Sequence, residues 1–193
     1  MTRLGDIAEV FSGTHISKNS EEESKAKEIP LLRSRNLKDG HIAPETVETV
    51  NVKSPRQVAS YRVQVNDVLI VTRGRIDHAL VPETLAGSII SSDLTGIRVD
   101  QEVVLPSLVN AYLATNEGQG KLRSLSKGSN ISYLSISDLK SVEIPIPPIE
   151  VQKHLKGLVL AVEKHEDILT KQINHWQSKL LLQSQLNAIL PLQ

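Results

Sequence analysis

The chain contains no cysteine among its 193 residues. This absence excludes disulfide bonds, cysteine-ligated zinc and thiol catalysis, and it is typical of proteins from the reducing cytoplasm. No stretch of eighteen or more apolar residues occurs, so the sequence predicts no membrane span. The first residues also lack the apolar region and the small-residue cleavage site of a signal peptide. We therefore expect a cytoplasmic protein that is not attached to a membrane.

Motifs of the common catalytic and nucleotide-binding sites are also missing. The sequence has no P-loop, no GxGxxG, no HExxH and no GxSxG. Asp77 and His78 have the residue types for acid–base work, but adjacent residues on a strand point to opposite faces. His154, His165 and His175 lie about three turns apart on a predicted helix, too far for one metal ion. We predict a non-catalytic protein without a metal ion or other cofactor.

The formal net charge is zero, which argues against a strongly basic nucleic-acid-binding protein. The positive charges are nevertheless segregated into segments without acidic neighbours, at residues 33–38, 52–66, 73–75 and 118–133. A neutral protein with segregated charge can still carry a cationic face. For any single segment, ordinary solvated surface residues are the simpler interpretation. For the four segments together, both interpretations stay open.

The apolar pattern predicts a mixed α+β domain. Residues 61–72 give the clearest β signal, with alternation before the Asn66-Asp67 turn and an apolar run after it. An uninterrupted run of this kind is typical of a strand that is buried on both faces. Pro106 predicts the first turn of a helix, and Gly118 with Gly120 predicts its end.

A change of character after residue 148 predicts two parts of the chain. Residues 135–138 match a helix capping box, and residues 142–146 read as a strand that Pro147-Pro148 ends. The double proline therefore predicts a boundary between a domain at residues 1–148 and a long helix at residues 149–193.

The predicted helix carries an apolar stripe with a spacing of three or four residues, in which His165 fills one step. The residues of the stripe are Leu155, Leu158, Val162, Leu169, Ile173, Trp176 and Leu180. Residues 150–190 contain one glycine and no proline, and forty residues of helix would be about 60 Å long. Such a helix cannot bury its stripe against itself. Its heptad-like spacing is typical of a coiled coil, so the helix must pack on its own domain, on another copy of the chain or on another protein.

Polar segments in predicted loops carry side chains that suit DNA. Arginine can hold guanine, and asparagine can hold adenine, by two parallel hydrogen bonds, while lysine and backbone N–H groups suit phosphate. The alternative for each segment is a polar turn that its own side chains cap. The candidate DNA-binding residues are Thr14, Arg33, Arg35, Asn36, Arg73, Arg75, Lys127, Ser129, Asn130 and Tyr133.

Four stretches occur in an informative order: LGDIAEVFSG at 4–13, VNDVLI at 65–70, KGSNI at 127–131 and IPIPPIEVQ at 144–152. In this order they resemble one half of the DNA-specificity subunit of type I restriction–modification systems. The resemblance covers nearly the whole chain. One departure is Asn66, where the family usually has glycine; asparagine also tolerates the left-handed backbone of a turn.

The resemblance implies a target-recognition domain that reads one half of a split DNA site through the major groove. It also implies a spacer helix, and partners in a modification subunit, which brings S-adenosylmethionine and the methyl-transfer site, and in a restriction subunit. The specificity subunit itself catalyses nothing. A full subunit has two recognition domains and two helices, whereas this chain has one of each. We therefore predict a homodimer with antiparallel C-terminal helices that reads an interrupted palindrome.

Other interpretations remain at this point. The chain could be a protein-binding adaptor or a regulator of a modification complex, in which the α/β domain never meets DNA. An enzyme of unknown type is a third alternative, which no motif supports. The chain could also be a natural half-subunit, a truncated product or a fragment.

Overall fold

A computed structural model describes residues 1–15, 27–38, 40–52, 56–128 and 132–189. The chain divides into two units, Met1–Gln152 and Lys153–Gln193, with the division four residues beyond the predicted boundary. The strands are β1 (Thr2–Arg3), β2 (Ala8–Ser12), β3 (Lys27–Leu32), β4 (Leu37–Lys38), β5 (His41–Ile42), β6 (Glu48–Val52), β7 (Val68–Val71), β8 (His78–Leu80), β9 (Ile89–Ile90), β10 (Leu94–Val99) and β11 (Glu143–Ile144). The α-helices are α1 (Leu4–Ile7), α2 (Pro106–Ala114), α3 (Asn116–Leu125), α4 (Ile136–Ser141) and α5 (Ile149–Ile189).

The centre of the first unit is an antiparallel sheet with the strand order β2-β10-β7-β8. All four residues of β7 are buried. Val68 and Ile70 belong to the core that also includes residues of α1, α2, α3 and α4, whereas Leu69 and Val71 belong to a second core. The prediction of a strand that is buried on both faces is thus confirmed.

The Asn66-Asp67 turn lies before β7, as the sequence predicts, but the residues that precede it do not form a strand. Asn66 has a φ of 68°, and the Asp67 carboxylate accepts a hydrogen bond from the Gln64 N–H at 2.7 Å. The same carboxylate accepts two hydrogen bonds from Arg98, at 3.0 and 2.7 Å, and this pairing raises the pKa of Arg98. Asp67 therefore closes the turn and also anchors it to β10, so residues 61–66 do not continue the strand.

The second core includes residues from two smaller sheets, which contain β3, β6 and β9 and β4 and β5. Strand β3 pairs antiparallel with β6 and parallel with β9, and β4 pairs antiparallel with β5. The β4–β5 ribbon lies beside β8, with a bridge from Gly40 to Ala79. This neighbourhood brings the loop that precedes β4 close to the loop between β7 and β8.

Helix α2 begins at Pro106, as the sequence predicts. The prediction that Gly118 and Gly120 end this helix is wrong, because α2 ends at Ala114 and both glycines lie inside α3. A side chain at Gly118 would place its Cβ 2.2 Å from the backbone oxygen of Tyr112. The glycine therefore permits the close approach of two consecutive helices.

The junction with α5 is held by one buried side chain. Gln152, which is 1% exposed, accepts a hydrogen bond from the Leu105 N–H at 2.9 Å. Its amide nitrogen donates to the carbonyls of Val103 and Pro147, at 2.9 and 2.8 Å. The first turn of α5 belongs to the first unit and is held there by the side chain of Gln152.

The capping box at Ser135 is confirmed, since its hydroxyl accepts from the Asp138 N–H at 3.2 Å.

Helix α5 exposes its apolar stripe in the single chain, with exposed fractions between 37% at Leu155 and 63% at Trp176 and Leu180. No helix in the described ranges combines the length and the apolar character that a membrane crossing requires.

Candidate nucleic-acid interface

Two segments that are far apart in the sequence meet at the end of β7. The Leu134 N–H donates to the Thr72 carbonyl, and the Gly74 N–H donates to the Ser132 carbonyl, both at 2.9 Å. Gly74 has a φ of 83°, which turns the chain between the exposed residues Arg73 and Arg75. The backbone therefore holds the two arginines beside residues 132–134.

Lys127 and Tyr133 extend this arrangement. They exchange two backbone hydrogen bonds, at 2.9 and 2.8 Å. The Tyr133 ring is exposed, and the Lys127 ammonium lies 2.9 Å from the Asp138 carboxylate. The hydrogen bond with Asp138 raises the pKa of Lys127, which favours the charged form of the lysine. Residues 73–75 thus form one surface with the described residues of the cationic segment 118–133.

Asp93 connects a third segment to this surface. Its carboxylate accepts a hydrogen bond from the Ser34 N–H at 3.0 Å and another from the Ser91 hydroxyl. Its backbone carbonyl accepts from the Thr72 N–H, also at 3.0 Å. Burial raises the pKa of Asp93, but the hydrogen bonds from Ser34 and Ser91 outweigh it, so the pKa lies below its ordinary value. One aspartate therefore fixes residues 33–38 relative to the end of β7.

The three segments border two neighbouring clefts of about 300 and 380 Å³. The first is lined by Ser34, Arg35, Leu37, Lys38, Val71, Arg73, Arg75 and Asp77. The second is lined by Gly74, Arg75, Ile76, Gln119, Arg123, Ser126 and Ser132. We call the two together the arginine cleft. Among these lining residues, the cations outnumber the single carboxylate, which makes the cleft an electropositive concavity.

Residues 1–175 match the family model described as the type I restriction modification DNA specificity domain. The chain belongs to this family. The resemblance that the sequence indicated is therefore confirmed, and so, at the level of the family, is the prediction of a specificity role in place of a catalytic one.

The relatives of this specificity domain are considerably longer. The EcoBI specificity subunit of Escherichia coli is 23% identical over 147 residues, which cover 76% of this chain and 31% of that protein. The MjaVIII specificity subunit of Methanocaldococcus jannaschii is 24% identical over 175 residues, which cover 90% and 38% of the two chains. The chain thus spans about a third of the length of these curated relatives.

A solved structure supports the fold of the specificity domain. It is described as the structural basis underlying complex assembly and conformational transition of the type I R-M system, and it superposes with a TM-score of 0.69 at 21% identity. The superposition covers 98% of this chain and 49% of that chain. The predicted mixed α/β fold is confirmed by this likeness.

Asn36 does not face the arginine cleft of the specificity domain. Its side chain is 1% exposed, and its oxygen accepts from the Arg33 N–H at 2.7 Å. Its amide nitrogen donates to the carbonyl and to the hydroxyl of Thr46, each at 2.8 Å. Asn36 closes the turn at Ser34–Asn36 and has no amide N–H left for a base, so we remove it from the candidate interface.

Other predicted residues have different positions. Thr14 is partly buried, and its N–H donates to the Ile90 carbonyl at 2.9 Å, so it continues the pairing beside β9. Arg33 is partly buried and does not line the cleft. Ser129 and Asn130 lie outside the described residues. The cationic segment 52–66 lines neither cleft in its described part.

The sequence missed two features of the site. Asp93 follows two serines and looks like a residue of an ordinary turn, so its contacts over long sequence distances had no local signal. The second feature is a carboxylate beside each of three candidate cations: Glu48 lies 2.6 Å from Arg35, Asp77 pairs with Arg75, and Asp138 pairs with Lys127. In the described part of the chain, no group of three or more metal-ligating side chains was found.

Proposed function

We propose that this chain is a DNA-recognition subunit that directs a type I methyltransferase or restriction complex to a bipartite site. One observation carries the proposal: a member of the DNA specificity domain family brings Arg35, Arg73 and Arg75 from two separate segments into one electropositive cleft. Arginine is the side chain that most often makes specific contacts with guanine. Its partners would be double-stranded DNA, a modification subunit and, in a complete system, a restriction subunit.

The construction of the arginine cleft supports readout by pre-positioned side chains. One loop is fixed by the backbone hydrogen bond at Gly74, and the other by the hydrogen bond from the Ser34 N–H to the Asp93 carboxylate. Both loops follow strands whose residues reach the core. Little ordering would therefore be needed on binding, which preserves affinity. The exposed Lys38 and Tyr133 offer a phosphate contact and an aromatic surface beside the arginines.

We further propose that two copies pair through an antiparallel coiled coil of α5 helices. An exposed apolar stripe of this length is typical of an interaction surface. A second copy is the favoured occupant, because this chain covers 49% of the solved relative, so two copies match that relative in length. The apolar stripe advances from Leu155 to Leu180 in seven steps, with His165 counted as one position, and the steps average about 3.6 residues. This is the period of a nearly straight helix, so the paired helices would supercoil little.

Binding of random-sequence DNA at increasing salt tests the electrostatic part of this proposal. The logarithm of the binding constant should fall linearly with the logarithm of the salt concentration. Arg73→Ala should weaken binding and reduce the slope by about one. Arg56→Ala is the matched control, because Arg56 is exposed and outside the cleft. Equal effects of the two variants, or binding that salt does not change, would contradict the proposal.

A second candidate function is a protein-binding adaptor or regulator of a modification complex without direct DNA readout. The exposed stripe of α5 favours it, since the same surface could receive a helix of another protein. Co-purification with a modification subunit together with no salt-dependent DNA binding would select the adaptor. Light scattering of the purified chain separates pairing with itself from pairing with another protein.

A further inference from the structure

Asp77 forms an ion pair with Arg75 in the loop between β7 and β8. The exposed fraction of the side chain is 68% for Arg75 but only 17% for Asp77. The Asp77 carbonyl accepts a hydrogen bond from the Val71 N–H at 2.7 Å, so this aspartate belongs to the closing end of the β7–β8 hairpin. A largely shielded carboxylate on an anchored backbone therefore holds one edge of an otherwise exposed guanidinium.

Arg73 provides an internal comparison, because it lies in the same loop and lines the same cleft. It is exposed, as Arg75 is. Considering only residues that the structure describes, Arg73 takes part in no ion pair. Two arginines of the same charge thus flank Gly74, and within those residues only Arg75 has a carboxylate partner.

Phosphates and base edges place different demands on an arginine. A phosphate attracts net positive charge, and a guanidinium beside a carboxylate presents less of it, because the negative charge of the carboxylate offsets its own. Guanine offers two neutral acceptors, which require two parallel N–H groups in a fixed plane. A guanidinium has five N–H donors in a rigid fork, so a carboxylate can engage one edge and leave another for a base.

We infer that Asp77 is a specificity-determining residue, which orients Arg75 toward a guanine edge and disfavours its contact with phosphate. Arg73 makes the phosphate contact of the same loop. The inference rests on the proposed function and assigns separate roles to two arginines that charge alone does not distinguish. Asp77 acts through Arg75 and is therefore a positioning residue.

A merely structural role for Asp77 predicts that its loss changes folding stability and leaves the base preference unchanged. Ion pairs with one exposed partner contribute little to folding stability, so loss of the carboxylate should hardly change unfolding. Loss of the carboxylate should, however, leave the positive charge of Arg75 without a neighbouring negative charge to offset it. Binding to random DNA should then become stronger, while discrimination between bases becomes weaker. A change in base preference together with unchanged stability separates positioning from structure.

Selection from a library of randomised DNA duplexes tests the inference, with the full chain used alone and together with a co-expressed modification subunit. Sequencing of the bound fraction gives the base preference at each position. For Asp77→Asn we expect the guanine preference at one position to fall about tenfold or more. Salt titration should show stronger random-sequence binding, with a slope that is steeper by about one. Asp77→Glu, which restores the charge, should recover part of the preference.

Two further variants serve as controls. Glu48→Gln removes the same charge beside Arg35, but there both partners are about half exposed, at 55% and 50% of the side chains. It should strengthen random-sequence binding without changing any base preference. Arg73→Ala should weaken binding to all sequences alike and leave the preferences intact.

The outcomes distinguish the inference from the proposed function. A wild-type base preference that persists in Asp77→Asn, or one that Arg73→Ala removes and Arg75→Ala retains, overturns the inference and leaves the proposed function standing. A wild-type chain without any base preference, with and without the modification subunit, contradicts the proposed function, and the inference then fails with it.

Discussion

The two units of the chain differ in how far their apolar side chains are buried. In Met1–Gln152, Leu69 and Ile97 are fully buried in cores that the unit forms by itself. In the second unit, Leu169 and Ile173 are 44% and 56% exposed. The stability of the first unit should therefore be independent of protein concentration, whereas burial of the stripe on α5 requires a partner and follows mass action. Folding and assembly are thus assigned to different parts of the sequence.

The largest expected effect comes from charges in the stripe. Leu169→Glu combined with Ile173→Glu places two carboxylates from each copy in an apolar seam. We expect dimerisation to weaken at least about a thousandfold, which corresponds to about 4 kcal/mol. Thr170→Glu with Asn174→Glu is the matched control, with the same charge and the same spacing beside the seam. Light scattering in which both double variants give the same mass would disprove this seam.

A substitution in the core of the first unit should lower the stability of that unit and leave dimerisation unchanged. Leu69→Ala creates a cavity in a strand that is buried on both faces, and we expect a loss of about 3 kcal/mol in the free energy of unfolding. The oligomeric state should not change as long as the first unit remains folded. Urea denaturation followed at two protein concentrations measures both quantities. A loss below about 1 kcal/mol, or a change in oligomeric state while the first unit stays folded, would contradict this assignment of Leu69 to a self-contained core.

The first turn of α5 should be sensitive to Gln152. Gln152→Ala leaves the Leu105 N–H and two carbonyl groups without their partner, which costs about 2 kcal/mol. Hydrogen exchange at the first turn of α5 should accelerate, while exchange in the central sheet stays slow. The neighbouring exposed residue Val151 provides the control as Val151→Ala. Slow exchange in both variants would show that Gln152 is not the anchor.

The smallest effect is a pH dependence from Asp93. Its pKa is lowered in the folded state, so it stabilises the fold above the ordinary aspartate range, and this contribution is lost as the pH falls through the folded value. Since Asp93 is partly exposed, we expect less than about 1 kcal/mol. Asp93→Ala should reduce the acid-induced loss of stability, compared with the exposed control Asp6→Asn. Identical curves of stability against pH for these two variants would refute this role.

Local signals in the sequence account for the parts of the fold that were predicted correctly. The apolar run Val68–Val71, the proline at the start of α2 and the capping box at Ser135 each act within a few residues. Gly118 misled the prediction because the same residue type ends helices and also permits close packing between them. Its neighbour across the helix contact, Tyr112, is not recognisable from spacing.

The candidate site was predictable only in part, because it is assembled over long sequence distances. Arg73 and Arg75 could be identified from their position after a buried strand. Their connection to Ser34 depends on Asp93, which lies 59 residues beyond Ser34 in the chain. The amide of Asn36 has the same chemistry whether it faces a base or Thr46, and only the fold shows that it faces Thr46.

Methylation mapping tests the central claim most directly, in cells that produce the full chain together with a modification subunit. If two copies each present one arginine cleft, the methylated sequence should be an interrupted palindrome. The double variant Leu169→Glu, Ile173→Glu should abolish methylation of that sequence. A methylated sequence without twofold symmetry, or one that survives the double substitution, would contradict the account of two paired recognition units.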